Sequence, residues 1–97
     1  MTFIQQLDLR TSSIDEIRAL EEQWRSATEG RRTLRRSIIT QDRNNPNHYV
    51  VLAFFDDYDS AMVNSGLPET DEFAAKQGAL LEGLPGFLDL DVLEDRA

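Results

Sequence analysis

The chain has 97 residues, 40% hydrophobic and 29% charged, enough for one small core and too few for a second, so 1–97 reads as a single domain. Its net charge of −8, from 18 acidic and 10 basic residues, repels nucleic-acid phosphates and anionic lipid surfaces, so neither is an expected partner. The absence of cysteine excludes disulfide scaffolds, thiolate metal sites and cysteine nucleophiles, and makes a reducing cytoplasm the default setting.

Residues 2–10 alternate, with Phe3, Leu7 and Leu9 on one side and Ile4, Gln6, Asp8 and Arg10 on the other, which predicts a first strand. Ser13-Ile14-Asp15-Glu16 has the form of a capping box and opens a helix predicted over about 13–29. Ile14, Ile17, Leu20, Trp24 and Ala27 step by three or four along its apolar stripe, and Gly30 supplies a left-handed stop. The β-branched residues between Thr33 and Gln41 predict a second strand, Asn44-Asn45-Pro46-Asn47 a turn, and His48 to Phe55 a third strand antiparallel to the second.

Asp56-Asp57-Tyr58-Asp59 places carboxylates at the favourable end of a short helix whose Ala61, Met62 and Val63 are expected inside. Asn64-Ser65-Gly66 breaks it, and Pro68 opens another helix expected to run to Gly83, with Phe73, Gln77, Leu80 and Leu84 as its stripe. Phe87 to Leu93 alternates again, with Leu88, Leu90 and Val92 opposite Asp89 and Asp91, and predicts the last strand.

The sum is an α+β chain of ferredoxin-like βαββαβ order: a four-stranded antiparallel sheet with helices on one face. The third strand is apolar on both faces, as His48-Val50-Leu52-Phe54 or as Tyr49-Val51-Ala53-Phe55. Whichever set faces away from the helices therefore needs a cover, and a homodimer through the open sheet face is expected. The longest apolar run, Val50 to Phe55, falls far short of the ~20 residues of a membrane span. Met1 to Gln6 has neither the basic start nor the apolar stretch of a secretory signal.

With Asn45-Pro46 before His48-Tyr49-Val50-Val51, Phe55-Asp56-Asp57 leading to Ser60-Ala61-Met62, then Ser65, Pro68-Glu69, Phe73 and the closing Phe87–Leu93 segment, nearly the whole chain resembles the antibiotic biosynthesis monooxygenase-like family of dimeric α+β barrels. The resemblance implies a homodimer whose two sheets close a barrel, with a pocket in each subunit between sheet and helices. Some members oxidise polycyclic aromatic polyketides with molecular oxygen and no metal or flavin, so no cofactor is expected. Others degrade haem, using an Asn on the first strand, a Trp closing the third and a His on the last helix. This chain has Leu7, Phe55 and Gln77 there, and haem ligation in the usual manner is not expected.

The candidate substrate-binding residues are Gln5, Arg36, Tyr49, Phe55, Phe73 and Gln77, with no catalytic residue assigned and no metal site. Gln5 and Gln77 interrupt apolar stripes, where an amide needs a partner or a ligand; they read equally as pocket lining or as the stripe's wet end. Tyr49 could polarise a phenolic substrate, against a core tyrosine with its hydroxyl in solvent. Arg31, Arg32, Arg35 and Arg36 lie within six residues; Arg36, sharing a face with Leu34 and Ile38, is the preferred anion contact, against a solvated edge paired with carboxylates.

His48, the only histidine, reads as an edge-strand residue before a base, and Trp24 as core before a cap over a flat ligand. Asp56, Asp57 and Asp59 lack the Gly and Glu of a calcium loop, and Asp89 and Asp91 read as an exposed strand face before a catalytic pair. Two functions follow: a cofactor-independent monooxygenase, or a related isomerase or cyclase, of a small polyketide- or quinol-like aromatic; or a non-catalytic dimeric barrel that binds a metabolite or a protein.

Overall fold

The computed structural model describes residues 2–97. Its elements are β1 (Phe3–Arg10), α1 (Ile14–Ala27), β2 (Arg36–Gln41), β3 (His48–Phe55), α2 (Tyr58–Ser65), α3 (Pro68–Gly78) and β4 (Gly86–Asp91). The strands pair antiparallel in the order β2-β3-β1-β4, which is the ferredoxin-like arrangement. Only β2 and β3 are joined by a turn; β1 leaves through α1, and β3 through α2 and α3, so each helical crossover returns the chain two positions away.

Register decides which side chains meet the helices. Phe3 stands opposite Phe55, Gln5 opposite Ala53, Leu7 opposite Val51 and Leu9 opposite Tyr49. Opposed residues share a sheet face, and Ser37 and Ile39 join this one through their pairing with Ala53 and Val51. The open face carries the alternate set: Ile4, Gln6, Asp8, His48, Val50, Leu52 and Phe54, with Ile38 from β2 and Leu88 and Leu90 from β4.

At one end of the helix side, Phe3, Phe55 and Ala61 form a buried cluster with Leu34 and Ala53 against it. Tyr58 meets the Phe3 ring edge-on at 5.5 Å. At the other end Leu9 is fully buried, a burial that stabilises by roughly 1.5–3 kcal/mol. Beside it Thr11 donates its hydroxyl to the Leu80 carbonyl (2.7 Å) and accepts the Ser13 N–H (2.9 Å), tying the start of α1 to the segment after α3.

Several expectations give way here. Ser13 occupies the N-cap of α1 but makes no side-chain cap, because its φ of −121° and ψ of 41° turn it away from the first helical turn while Thr11 takes its amide. At α2 the cap is formed as expected, with Asp57 accepting the Ser60 N–H at 2.7 Å. Ala61 is buried as expected, but Met62 and Val63 are exposed, and Asn64 is the other buried residue of that helix, its side-chain oxygen accepting the Thr33 N–H. Helix α3 ends at Gly78 rather than Gly83, and turns built on Gln77 and Gly78 carbonyls follow. Leu84 accordingly lies in solvent rather than on the stripe. Gly83 has a φ of +82°, a left-handed bend on the approach to β4 that a side chain would strain.

Candidate functional site

The apolar stripe of α1 does not close fully onto the sheet. Between it, the sheet and α3 lies a cavity of about 340 Å³, within the range of small-molecule sites. Its floor is the helix face of the sheet, from Leu7, Leu9, Val51, Ala53 and Ile39 to Phe55 and Phe87; Ile14, Ile17 and Trp24 of α1 and Phe73 and Ala74 of α3 form the roof. Among the described residues, the only ionisable side chains in the wall are Glu21 and the exposed Asp71.

Four of the six candidate residues meet in this cavity: Gln5, Phe55, Phe73 and Gln77. Gln5 and Gln77 are each 8% exposed, and neither amide hydrogen-bonds to another described residue. No side-chain polar atom among the described residues is both fully buried and without a partner, so these amides keep contact with solvent. Both residues line the cavity, where a ligand's oxygen or hydroxyl can take the place of that water. Trp24 has its N–H donated to Thr70 Oγ1 (3.0 Å) and its ring tilted against Phe73 at 6.3 Å, so it serves as both packing and cavity wall.

Tyr49 and Arg36 lie elsewhere. Tyr49 is buried at the other end of β3, its hydroxyl 3.4 Å from the Gln41 side-chain nitrogen, beside an outer groove between α1 and β2. Arg36 is on the open face, paired with Phe54 across the strands and with its guanidinium 5.8 Å from that ring's centre. Arg36 shares its face with Ile38 as expected, but that face is the open one, away from this cavity, while Leu34 sits in the loop before β2 and packs on the core. The other arginines are committed too. Arg31 pairs with Glu69, Arg35 forms a two-point contact with Asp56, and Arg32 donates to the Arg25 carbonyl.

Two features carried no obvious signal. The outer groove, about 890 Å³ and open to solvent, shares Ile14, Glu21, Ser37 and Ile39 with the inner cavity. At this junction Glu21 Oε1 accepts from Arg25 Nε (3.2 Å) and from the Ser37 hydroxyl (3.1 Å), which itself accepts from Arg25 Nη2 (2.9 Å). The 21/25 spacing is readable in a helix, but the third member comes from a strand, beyond the reach of any local pattern. On the open face His48 has Asp42 at Nδ1 (2.9 Å) and Asp8 at Nε2 (2.8 Å), which raises its pKa and lowers that of Asp42. The two carboxylates flank the ring on separate nitrogens, and among the described residues no group of three such side chains could hold a metal ion.

No family model and no curated protein matches the sequence. Solved structures do match over nearly the whole chain. The chain is similar to Rv0793 from Mycobacterium tuberculosis, at 14% identity, covering all of both chains, with a TM-score of 0.79. It is similar to SnoaB, a cofactor-independent oxygenase from Streptomyces nogalater, at 14% identity, 97% and 94% coverage and a TM-score of 0.78. A candidate antibiotic biosynthesis monooxygenase from Caulobacter crescentus shares 16% identity, with 96% and 91% coverage and a TM-score of 0.80. At these identities what is shared is the fold.

Proposed function

We propose that the chain is a cofactor-independent monooxygenase of a small aromatic, polyketide- or quinol-like substrate, working as a homodimer in the cytoplasm. The observation that carries this reading is the apolar cavity lined by Gln5 and Gln77, whose amides make no hydrogen bond to another described residue. The fold shared with a cofactor-independent oxygenase supports it. Such a substrate supplies the electrons itself: a ring CH₂ group activated by a neighbouring carbonyl loses a proton, the resulting anion reduces oxygen, and CH₂ and O₂ become C=O and H₂O. The protein's share is to desolvate and orient that anion, with the amides holding its oxygens and Phe55, Phe73 and Trp24 confining its rings.

The dimer reading rests on the open face, where Leu88 is 52% and Leu90 36% exposed beside Ile4, Leu52 and Phe54. A second reading, a dimeric barrel that binds a metabolite without changing it, is favoured by the scarcity of ionisable groups in the wall. Oxygen uptake with a panel of polycyclic hydroxyanthrones, each carrying a ring CH₂ activated by a carbonyl, in air separates the two. Saturable uptake lost in Gln77→Leu supports the oxygenase; saturable binding without uptake supports the binding protein.

A further inference from the structure

Ser37, Ala53 and Gln5 form a straight row across three neighbouring strands, since Ser37 pairs with Ala53 and Ala53 with Gln5. All three face the cavity. Two strand spacings separate the ends of the row, about 10 Å between backbones, and the middle position is a methyl group. The floor is therefore a shallow apolar strip with a polar group at each end. Its length suits a two-ring skeleton that carries an oxygen at each end.

The ends differ chemically. At the inner end Gln5 offers an amide that can both donate and accept. At the outer end stands the ring of Glu21, Arg25 and Ser37, in which both donated hydrogen bonds to the carboxylate fall on Oε1. Oε2 receives none from a described residue. An ionised carboxylate has about four acceptor positions and no donor, so Glu21 Oε2 can only accept, while the donors of Arg25 and Ser37 named above are spent within the ring. The Glu21 side chain is 20% exposed and the Arg25 side chain 33%, and Arg25 keeps the local charge balanced. Because Glu21 and Ser37 border both the outer groove and the cavity, a ligand arriving between α1 and β2 passes them first.

Resting on the cavity reading above, we propose that the site takes a flat, two-ring ligand with oxygens at opposite ends, its outer hydroxyl donating to Glu21 Oε2 and its inner oxygen meeting Gln5. Glu21 thereby selects a phenol or enol over its ether or its hydrocarbon.

The test is calorimetric titration under nitrogen, where no oxidation can intrude, with 2,6-dihydroxynaphthalene and 2,6-dimethoxynaphthalene as probes. The diol is expected to bind the wild-type chain at least tenfold more tightly than the diether. Glu21→Gln keeps the shape and replaces the charged acceptor, and is expected to weaken the diol about tenfold while leaving the diether unchanged. Ser37→Ala, which frees the carboxylate without removing it, is expected to keep the preference for the diol. Equal losses for both probes in Glu21→Gln, or no loss for the diol, overturn the proposal, as does a wild-type chain that binds neither. Selective diol binding without oxygen uptake on any hydroxyanthrone would sink the oxygenase reading and leave this one standing.

Discussion

His48 Nε2 lies 2.8 Å from Asp8 Oδ1, joining the start of β3 to β1 on the open face, while Nδ1 meets Asp42 at the end of the hairpin. Only the imidazolium can donate from both nitrogens at once. The carboxylates therefore favour the protonated ring and raise its pKa above the ordinary 6.5, with Asp42 the larger cause, Asp8 next and nearby Arg10 opposing. Asp42 is lowered below 3.8, first by His48 and then by the Asn44 amide.

The sign follows. The His48 contribution to stability is complete below about pH 6.5 and is lost as pH rises through its raised folded value; the Asp42 contribution is present above about pH 3.8 and is lost as pH falls through its lowered folded value. The thermal midpoint gap between wild type and His48→Gln should be larger at pH 5.5 than at pH 9, at one fixed protein concentration. As the chain's sole histidine, its ring resonances should titrate above 6.5; a midpoint below that value contradicts the clamp.

Gln77→Leu and Gln5→Leu remove amides that the protein itself leaves without partners. Stability should be unchanged or rise by up to about 1 kcal/mol in urea unfolding, while turnover of a hydroxyanthrone falls at least tenfold. A loss of 2 kcal/mol or more would mean that these amides serve the fold instead.

Leu52 lies mid-strand on the open face, between Ile38 and Gln6 across the sheet. The wild-type chain should sediment as a dimer at micromolar concentration and Leu52→Asp as a monomer. A monomeric wild type would remove the open face as an interface.

Leu9 is fully buried against Tyr49 and the loop that carries Thr11. Leu9→Ala should cost about 2–5 kcal/mol in urea unfolding. A cost below 1 kcal/mol would mean that this end of the sheet is loosely packed.

The strands were readable because β1 and β4 each carry a period of two that survives folding, β3 is a short apolar and β-branched run, and the Asn/Pro turn fixes the hairpin. The helix ends were less so. Ser13-Ile14-Asp15-Glu16 has the letters of a capping box, but a neighbouring threonine with a long-range partner took the amide. Helix α3 stops at a glycine that resembles any other interior glycine in sequence. Of the site, Gln5 and Gln77 stood out because a polar residue on an apolar stripe is a local anomaly. The face Arg36 shares with Ile38 was readable, but not that it is the open one, and Glu21 escaped notice because its environment depends on Ser37, sixteen residues away.

Trp24 is the chain's only tryptophan, and it stands in the cavity wall with its N–H already engaged by Thr70. All indole fluorescence of the protein thus originates at the surface an occupant would touch. Quenching or a spectral shift of that emission reports occupancy directly, with no label attached and no second indole to dilute the signal. A library of compounds that are transparent at the excitation wavelength can therefore be screened optically before any substrate is known.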